Sequence, residues 1–262
     1  MGYIDTHSHY FSNRYDKDRD EVFNEMYNNG VIGIIECGLD ENSNNKVIKM
    51  TEKYRNVFGV IGFDPVKLDG INKGSIERFV NSTKLSKIVG IGEIGLDHYR
   101  ATEDKWVEQE KWFKYQLELA RELDLPVCIH SRDAKEDTLR ILKEFGKYKG
   151  VMHCFSYDVE TMRELVELGY SFGVGGTSTY KGNDILREAI KYMPLDRIVF
   201  ETDAPYLSPE CVRGTRNIST NIKYVIENLS NLLGVSIEEI ERISTENVLR
   251  IYDKIKIEKF SA

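Results

Sequence analysis

Two histidines one residue apart, His7 and His9, close a short apolar run near the start of the chain. Side chains at positions i and i+2 of a strand project from the same face, so this spacing aims both imidazoles at one point. Paired imidazoles are typical ligands of a divalent transition metal, and a nearby carboxylate would extend the coordination shell. The pattern therefore predicts a metal site at the end of the first strand rather than two unrelated polar residues.

Four further residues of metal-binding type stand at or just after the ends of later strand-like runs: Glu93, His130, His153 and Asp203. In a closed barrel of parallel strands, the carboxyl ends of all strands meet on one face, where such enzymes carry their active sites. Four of the five histidines of the chain then converge on one pocket together with two acids. This convergence extends the predicted metal site to six side chains.

Six ligands exceed the need of one tetrahedral zinc ion with an open position, and they suit two cations that share a carboxylate. The bridge is predicted to be Glu93, and the remaining ligands divide into His7, His9 and Asp203 for the first cation and His130 and His153 for the second. A water activated between the cations would be the nucleophile. Asp203 would hold that water and take its proton, besides or instead of binding metal, so Glu93 and Asp203 are the predicted catalytic residues.

The elements that must position these residues are short apolar runs rich in β-branched residues, with helix-like segments between them. Their apolar character is continuous rather than alternating, which is typical of parallel strands buried on both faces. The eight runs begin at Ile4 and continue at 31–37, 57–63, 88–93, 126–130, 150–154, 170–174 and 197–201. Strands alternating with helices over this length predict an α/β fold, a (β/α)8 TIM barrel of the metallo-dependent hydrolase type, as a single domain over residues 1–262.

The segments between the strands carry helix signals. Residues 102–123 show apolar residues at helical spacing, with Thr102 as the predicted N-cap and a proline just beyond the end. Residues 162–169 predict a helix closed by the glycine at its end. The tail from 219 to 251 predicts an eighth helix and a short additional one.

Composition limits the partners and the compartment. The net charge of −7 means that the overall field of the protein does not attract nucleic acid, so a phosphate-bearing partner must be held by a local site. The four cysteines are widely spaced without a CxxC pair, which indicates reduced thiols rather than disulfides or a zinc ribbon. We find no signal peptide and no apolar run long enough to span a membrane, and expect a cytoplasmic protein.

Several basic and polar residues follow the strand ends and are candidate substrate contacts. Arg132 comes two residues after the histidine of the fifth strand, where a guanidinium suits phosphate or carboxylate, although an ion pair with Asp133 is an equal alternative. His98 lies on a loop and is either a substrate contact or a surface residue. Arg213 and Asn217 follow the eighth strand, where barrels often hold phosphate.

Seven short motifs combine these residues. They are DTHSH at 5–9, GEIGLD at 92–97, PVCIHSRDA at 126–134, HCFS at 153–156, ETDAPYL at 201–207, RGTRN at 213–217 and EN at 246–247. Together they resemble, over essentially the whole chain, the TatD family of metal-dependent hydrolases, often called TatD-type DNases. The resemblance implies a TIM barrel that binds one or two divalent metals, magnesium, manganese or zinc, and hydrolyses phosphodiester bonds in DNA.

The chain departs from the family pattern in three places. Asp64 stands where the family often has the histidine of a Gly-x-His-Pro motif, and an aspartate at the mouth repels phosphate unless it is protonated, paired or turned away. Tyr157 replaces a glycine and narrows or re-lines the pocket. Tyr10 and Phe11 replace a Leu-Asp pair, and Ser219 replaces a proline. Asp64 and Tyr157 are therefore candidate substrate-binding residues, and the departures bear on the substrate rather than on the metal ligands.

Three functions compete on this sequence. The first is a deoxyribonuclease acting on single strands or ends of DNA, since an acidic surface disfavours a long duplex footprint. The second keeps the metals and hydrolyses a different ester or amide, such as an aminoacyl ester on tRNA or a lactone. The third is a non-catalytic metal-binding protein, which six converging ligands argue against. We expect a monomer or a weak homo-oligomer.

Overall fold

Eight parallel strands, neighbouring one another in chain order, form the centre of the molecule. The computed structural model describes residues 2–258. The strands are β1 (Tyr3–Ser8), β2 (Val31–Cys37), β3 (Val57–Ile61), β4 (Ile88–Asp97), β5 (Val127–Arg132), β6 (Gly150–Met152), β7 (Tyr170–Val174) and β8 (Ile198–Phe200). All eight lie at the predicted positions, and the predicted (β/α)8 architecture is confirmed. The predicted ends of two strands are wrong, because β4 continues to Asp97 and β5 to Arg132, so Glu93 and His130 lie inside their strands.

The barrel closes between β1 and the segment that follows β8. Ser8 pairs in parallel with Ala204 across this gap. The N–H of Asp203 donates to the His7 carbonyl at 2.9 Å, and the N–H of His9 donates to the Ala204 carbonyl at 2.7 Å. The closing hydrogen bonds therefore involve predicted metal ligands from both ends of the chain, which ties the geometry of the site to closure of the fold.

Helices alternate with the strands and cover the outer face of the barrel. They are α1 (Arg19–Asn28), α2 (Glu41–Lys53), α3 (Lys73–Ser82), α4 (Glu103–Glu122), α5 (Lys135–Phe145), α6 (Val159–Glu167), α7 (Asp184–Tyr192), α8 (Ile222–Leu233) and α9 (Ile237–Ile251). The helix predicted to be short, α9, has 15 residues and is longer than α8, which has 12. None of the helices within residues 2–258 is long and apolar enough to cross a membrane.

The start of α4 and the end of α6 can be compared with the capping residues that the sequence predicts. Thr102 is the N-cap of α4 as predicted, but its side chain does not cap the helix, and its hydroxyl instead bonds Asp104. Gly169 stands one residue past the C-cap of α6 with φ +97°, a left-handed conformation that favours glycine.

Apolar side chains form two layers, one on each face of the strands. The larger layer fills the space between the strands and the helices. The smaller layer lies inside the barrel, where Ile4, Ile35, Val60 and Val151 pack with the end of α9 around Tyr252. Parallel strands buried on both faces explain why the runs are apolar without alternation. The long helix α9 has a packing role because its last turn contacts this inner layer.

Candidate metal centre

The His-x-His pair lies at the carboxyl end of β1, and both rings face the barrel interior. The Nε2 atoms of His7 and His9 are 3.1 Å apart, so the prediction that the i, i+2 spacing aims them at one point is confirmed. Nδ1 of His9 lies 2.8 Å from the carbonyl oxygen of Cys37, which only accepts hydrogen bonds. That contact fixes the proton on Nδ1 and leaves the Nε2 lone pair free to bind a metal.

Glu93 lies between two groups of imidazoles. Its Oε2 is 3.4 Å from Nε2 of His7 and 3.9 Å from Nε2 of His9, while its Oε1 is 2.7 Å from Nδ1 of His130. The carboxylate is 4% exposed and comes from the long strand β4. Its two oxygens therefore face different histidines, and Glu93 lies between the two groups of predicted ligands.

Asp203 supplies the second carboxylate from the loop after β8. Its Oδ1 lies 3.2 Å from Nε2 of His9, 3.7 Å from Nε2 of His7 and 3.9 Å from Nε2 of His153. Its side chain is 18% exposed, against 5% for Glu93. Asp203 therefore reaches both the histidines and the open cleft.

The six predicted ligands form three overlapping groups of donor atoms, and a fourth group joins His7 to the thiols of Cys37 and Cys128. Ligand atoms within 4.8 Å of one another group as His7, His9 and Glu93; as Glu93, His130 and His153; and as His7, His153 and Asp203. Nitrogen and carboxylate donors of this kind suit zinc, manganese and other divalent cations. The cluster is able to bind metal, and Glu93 is shared between two of its groups.

The electrostatics of the cluster fit a cation. Burial lowers the pKa of His130, but hydrogen bonds with the Asp97 and Glu93 carboxylates outweigh burial and raise it to about 9. Burial also raises the pKa of Glu93, yet the hydrogen bonds from His130 and His7 hold it well below its usual range. The acids thus stay ionised and draw positive charge onto the imidazoles. A divalent cation would supply that positive charge in place of the protons, which are released when metal binds.

A carboxylate lies beside the outer ring nitrogen of two of the ligand histidines. Asp97 Oδ2 lies 3.0 Å from Nε2 of His130. Glu201 Oε1 lies 3.1 Å from Nδ1 of His153 and accepts the N–H of Cys154. A carboxylate behind a metal-binding histidine fixes the orientation of the ring.

The sequence interpretation gave neither Asp97 nor Glu201 a role, although both lie in quoted motifs. The signal that identifies them is an acid at or beside a strand end near a ligand histidine. Two glycines make room for this arrangement. A Cβ on Gly173 would lie 2.0 Å from Glu201 Oε2, and a Cβ on Gly95 would lie 1.9 Å from the His130 carbonyl oxygen.

Asp5 links β1 by hydrogen bonds to the segment after β8 that carries Asp203. Its carboxylate accepts hydrogen bonds from the Thr202 hydroxyl at 2.6 Å, the Ser219 hydroxyl at 2.6 Å and the His7 N–H at 3.2 Å. Burial raises its pKa to about 6. The departure at Ser219 has a structural reason here, because the Tyr10 hydroxyl accepts the Ser219 N–H at 2.7 Å, a donor that proline lacks.

A cleft of about 480 Å³ opens over the metal ligands. Asp64 lines it, 3% exposed, with an oxygen accepting the Val66 N–H at 2.9 Å. Burial and the nearby Glu93 raise the pKa of Asp64 to about 6. The walls of the cleft also carry Lys46, Lys67, Arg100 and Tyr206, which the sequence interpretation did not single out. They carry Phe11 as well, which was noted only as a departure from the family pattern.

The other residues predicted to contact substrate do not line this cleft. The Arg132 guanidinium lies 3.9 Å over the Tyr99 ring, and the His98 ring stacks on Trp106 with centroids 3.9 Å apart. The remaining three are placed as follows: the Tyr157 hydroxyl lies 2.7 Å from the Ser131 hydroxyl, Arg213 pairs with Glu210, and Asn217 is buried and donates to the Thr202 carbonyl. The structure does not bring these five to the metal centre, because each is occupied by its own neighbours, and their role with substrate stays a prediction.

A (β/α)8 barrel with a cluster of histidines and carboxylates at the carboxyl ends of its strands defines a metal-dependent hydrolase. Residues 4–253 match the family model described as TatD related DNase, and the chain belongs to this family.

Two relatives and one solved structure agree with this family assignment. The protein called metal-dependent hydrolase YabD from Bacillus subtilis (strain 168) is 36% identical over 251 residues, covering 95% of this chain and 98% of YabD. A human protein named Deoxyribonuclease TATDN3 is 28% identical over 98% of this chain and 96% of its own length. The crystal structure of YJJV, a TatD homologue from Escherichia coli K12, superposes with a TM-score of 0.88 at 28% identity, covering 96% of this chain and 98% of YJJV.

Proposed function

We propose that this protein is a deoxyribonuclease that hydrolyses phosphodiester bonds in single strands or at the ends of DNA, with two divalent cations, magnesium, manganese or zinc, at the Glu93 centre. The observation that carries the proposal is the ligand cluster opening into a cleft whose walls carry Lys46, Lys67 and Arg100. The name of the human relative supports the substrate class. The acidic ligands draw the cations, while the basic walls suit the phosphate oxygens.

The ligands proposed to hold the cations are His7, His9 and Asp203 on one side and His130 and His153 on the other, with Glu93 between. When bound, the cations would neutralise charge on the phosphate and lower the pKa of a water molecule. Asp203, besides or instead of binding metal, would orient a water molecule and accept its proton, since its carboxylate reaches the cleft. Its pKa stays below the usual range because the His9 hydrogen bond and the nearby imidazoles outweigh burial, which keeps it ionised at neutral pH.

The residues around the centre hold the scissile group in place. Arg100 and Lys67 are exposed and face the cleft, where they would bind the non-bridging oxygens of the phosphate. Asp97 fixes the His130 ring, so that the Nδ1 atom keeps its direction toward Glu93. Positioning of this kind supplies much of the rate enhancement of phosphoryl transfer.

The shape of the cleft favours a single strand over a duplex. Phe11 and Tyr206 stand at its rim, where unstacked bases can pack against aromatic rings. A base inside a duplex is not available for this stacking. The net charge of −7 also opposes a long contact with duplex phosphates.

A panel of substrates tests the proposal. Purified protein with manganese is given a labelled single-stranded oligonucleotide, the same sequence as a blunt duplex, an aminoacyl ester of tRNA and a simple lactone. We expect the highest kcat/KM for the single strand. Rapid turnover of the ester or the lactone, with no shortening of DNA, would overturn the assignment of DNA as substrate.

One observation favours a second candidate, hydrolysis of a non-DNA ester or amide. Asp64 lies in the cleft beside Glu93 and His130, and with a pKa of about 6 it is mostly ionised at neutral pH. An anion at this place repels a phosphate and would attract an ammonium group, such as the amine of an aminoacyl ester. The substrate panel separates the two candidates directly.

We also propose that the protein acts in the cytoplasm as a monomer or a weak homo-oligomer, and that its domain spans residues 1–262. The four cysteines are free thiols, two buried, one partly buried and one exposed, as expected in a reducing compartment. Sedimentation at several concentrations tests the oligomeric state, and a stable oligomer at nanomolar concentration would contradict it.

A further inference from the structure

The metal cleft continues into a groove along helix α2. This groove, here called the α2 groove, has a volume of about 340 Å³. It shares Phe11, Asn13 and Lys46 with the cleft over the metal ligands, so the two spaces are joined. Beyond this junction it is lined by Lys49 and Arg19. A molecule bound at the metal centre can therefore extend along α2.

Among residues 2–258, two of the three cations that line the α2 groove have no carboxylate partner. Lys46 and Lys49 stand three residues apart on α2 and share a face of the helix. Both are exposed, and among residues 2–258 neither has a carboxylate within the 4.0 Å limit of an ion pair. Other lysines on the outer helices are paired, such as Lys53 with Asp20 at 2.6 Å and Lys114 with Glu110 at 2.8 Å.

The groove carries net positive charge despite one acid in its wall. Asp16 lines it but is paired with Arg19 at 2.7 Å. Arg19 also donates to the carbonyl oxygens of Tyr10 and Ser12, so it is fixed in place. The two remaining cations are free to bind anions, on a molecule whose net charge is −7.

A second space that adjoins the cleft differs. This recess of about 200 Å³ shares Arg100 with the cleft and is lined by Lys105. Here Lys105 lies 3.3 Å from Asp69 and 3.5 Å from Glu108. Its charge is already neutralised by acids in the same wall, so a polyanion gains less from this side than from the α2 groove.

Phe11 connects the α2 groove to the metal ligands. Its ring meets the His9 ring edge to face, with centroids 5.5 Å apart. A base stacked on the open side of Phe11 would place the adjoining backbone phosphate next to His9 and Asp203. Phe11 and Lys46 then stand at the junction with the metal cleft, and Lys49 lies further along the groove.

We infer that the α2 groove is the binding track for the single strand beyond the scissile phosphate, with Phe11 stacking a base and Lys46 and Lys49 each contacting a phosphate. The inference rests on the proposed function and assigns the side of the cleft along which the substrate leaves. It also explains how a protein with net negative charge holds a polyanion, because the contact is short and local.

Salt dependence tests the track with a double variant, Lys46→Gln/Lys49→Gln. Each single-strand phosphate neutralised by a lysine contributes about 0.7 to the slope of log(kcat/KM) against log salt concentration. We expect the double variant to lower that slope by about 1.4 for a single-stranded oligonucleotide. The ratio of kcat/KM for the oligonucleotide to that for bis(p-nitrophenyl) phosphate, a small diester that cannot reach along α2, should fall about tenfold at low salt.

The matched control is Lys111→Gln/Lys147→Gln, which removes the same charge from two exposed lysines outside the groove and should leave slope and ratio unchanged. Phe11→Leu is expected to lower the same ratio about fivefold without changing the slope. An unchanged slope and ratio in the double variant, while the wild type degrades the oligonucleotide, would overturn the track alone. A wild type that cleaves the small diester and no oligonucleotide would overturn both the track and the proposed function.

Discussion

The buried metal centre and the exposed walls of its cleft, here called the rim, differ in burial and in the elements that supply their side chains. In the centre, His7 and Glu93 are 0% and 4% exposed, and neighbouring strands or hydrogen bonds fix every ligand. At the rim, Lys46, Lys67 and Arg100 are exposed and come from a helix and two loops. Strands and the residues that follow them hold the predicted ligands, while exposed side chains from a helix and loops line the cleft. We therefore expect the centre to set the type of reaction and the rim to set the choice of substrate.

The largest expected effect is at the centre. Glu93→Gln keeps the size of the side chain but removes the charge that faces both groups of imidazoles. We expect loss of at least one bound metal and a fall in turnover of about a hundredfold or more. Elemental analysis and kcat on an oligonucleotide measure both, with the thermal unfolding curve as a check of folding. Retained stoichiometry with near-normal turnover would contradict the bridging role.

A smaller effect is expected at Asp97, which lies behind the ligand His130. Asp97→Asn leaves a neutral group behind His130 and should weaken metal affinity or activity by about 10- to 100-fold. The matched control is Asp69→Asn, an exposed acid at the rim, which should leave metal affinity unchanged. Equal effects in the two variants would mean that net charge, rather than the orientation of His130, explains the result.

Glu36, a buried acid without imidazole neighbours to lower its pKa, contrasts with Glu93. Glu36 on β2 is fully buried, and burial raises its pKa to about 8 despite hydrogen bonds from Tyr10 and Ser8. Between its ordinary value and pH 8 the unfolded chain has lost this proton while the folded protein keeps it, so folding stability falls as pH rises through that window.

Glu36→Gln removes this dependence. Relative to wild type, the variant is therefore expected to gain on the order of 1 kcal/mol or more in the free energy of unfolding between pH 5 and pH 9. Urea unfolding at both pH values measures the difference. If the difference in free energy of unfolding between variant and wild type is the same at both pH values, Glu36 does not titrate in this window.

The smallest expected effect is at the rim. Asp64→His replaces the acid in the cleft with the histidine that the family resemblance leads us to expect there. We expect kcat/KM on single-stranded DNA to rise several-fold, because repulsion of the phosphate is removed. Asp69→His makes the same change at an exposed site and serves as control. An unchanged or lower rate would mean that Asp64 is structural or that the substrate is not DNA.

The sequence predicted the centre because its signals are local. The i, i+2 spacing of His7 and His9 and the apolar runs before Glu93 and His130 assign a strand end to each ligand, and the barrel then brings the ends together. The fold was predictable for the same reason. The length of α9 was underestimated, since its last turn is required by packing against the inner core around Tyr252 and not by a local signal.

The rim was not predictable in the same way. Lys46 lies on α2 and Arg100 on the loop after β4, far apart in the chain, and only the folded barrel brings both to one cleft. Arg132 follows a ligand histidine closely in sequence, yet its guanidinium lies over Tyr99. The direction of an exposed side chain at a strand end depends on neighbours that spacing does not specify.

The most direct test of the central claim is hydrolysis of an end-labelled single-stranded oligonucleotide with magnesium or manganese, by the wild type and by Glu93→Ala/Asp203→Ala. We expect shortening of the strand that stops with a chelator, returns with added metal and is absent in the double variant, and the product ladder gives the polarity of cleavage. A wild type that binds its metals, as measured by elemental analysis, and leaves the strand intact would contradict the account.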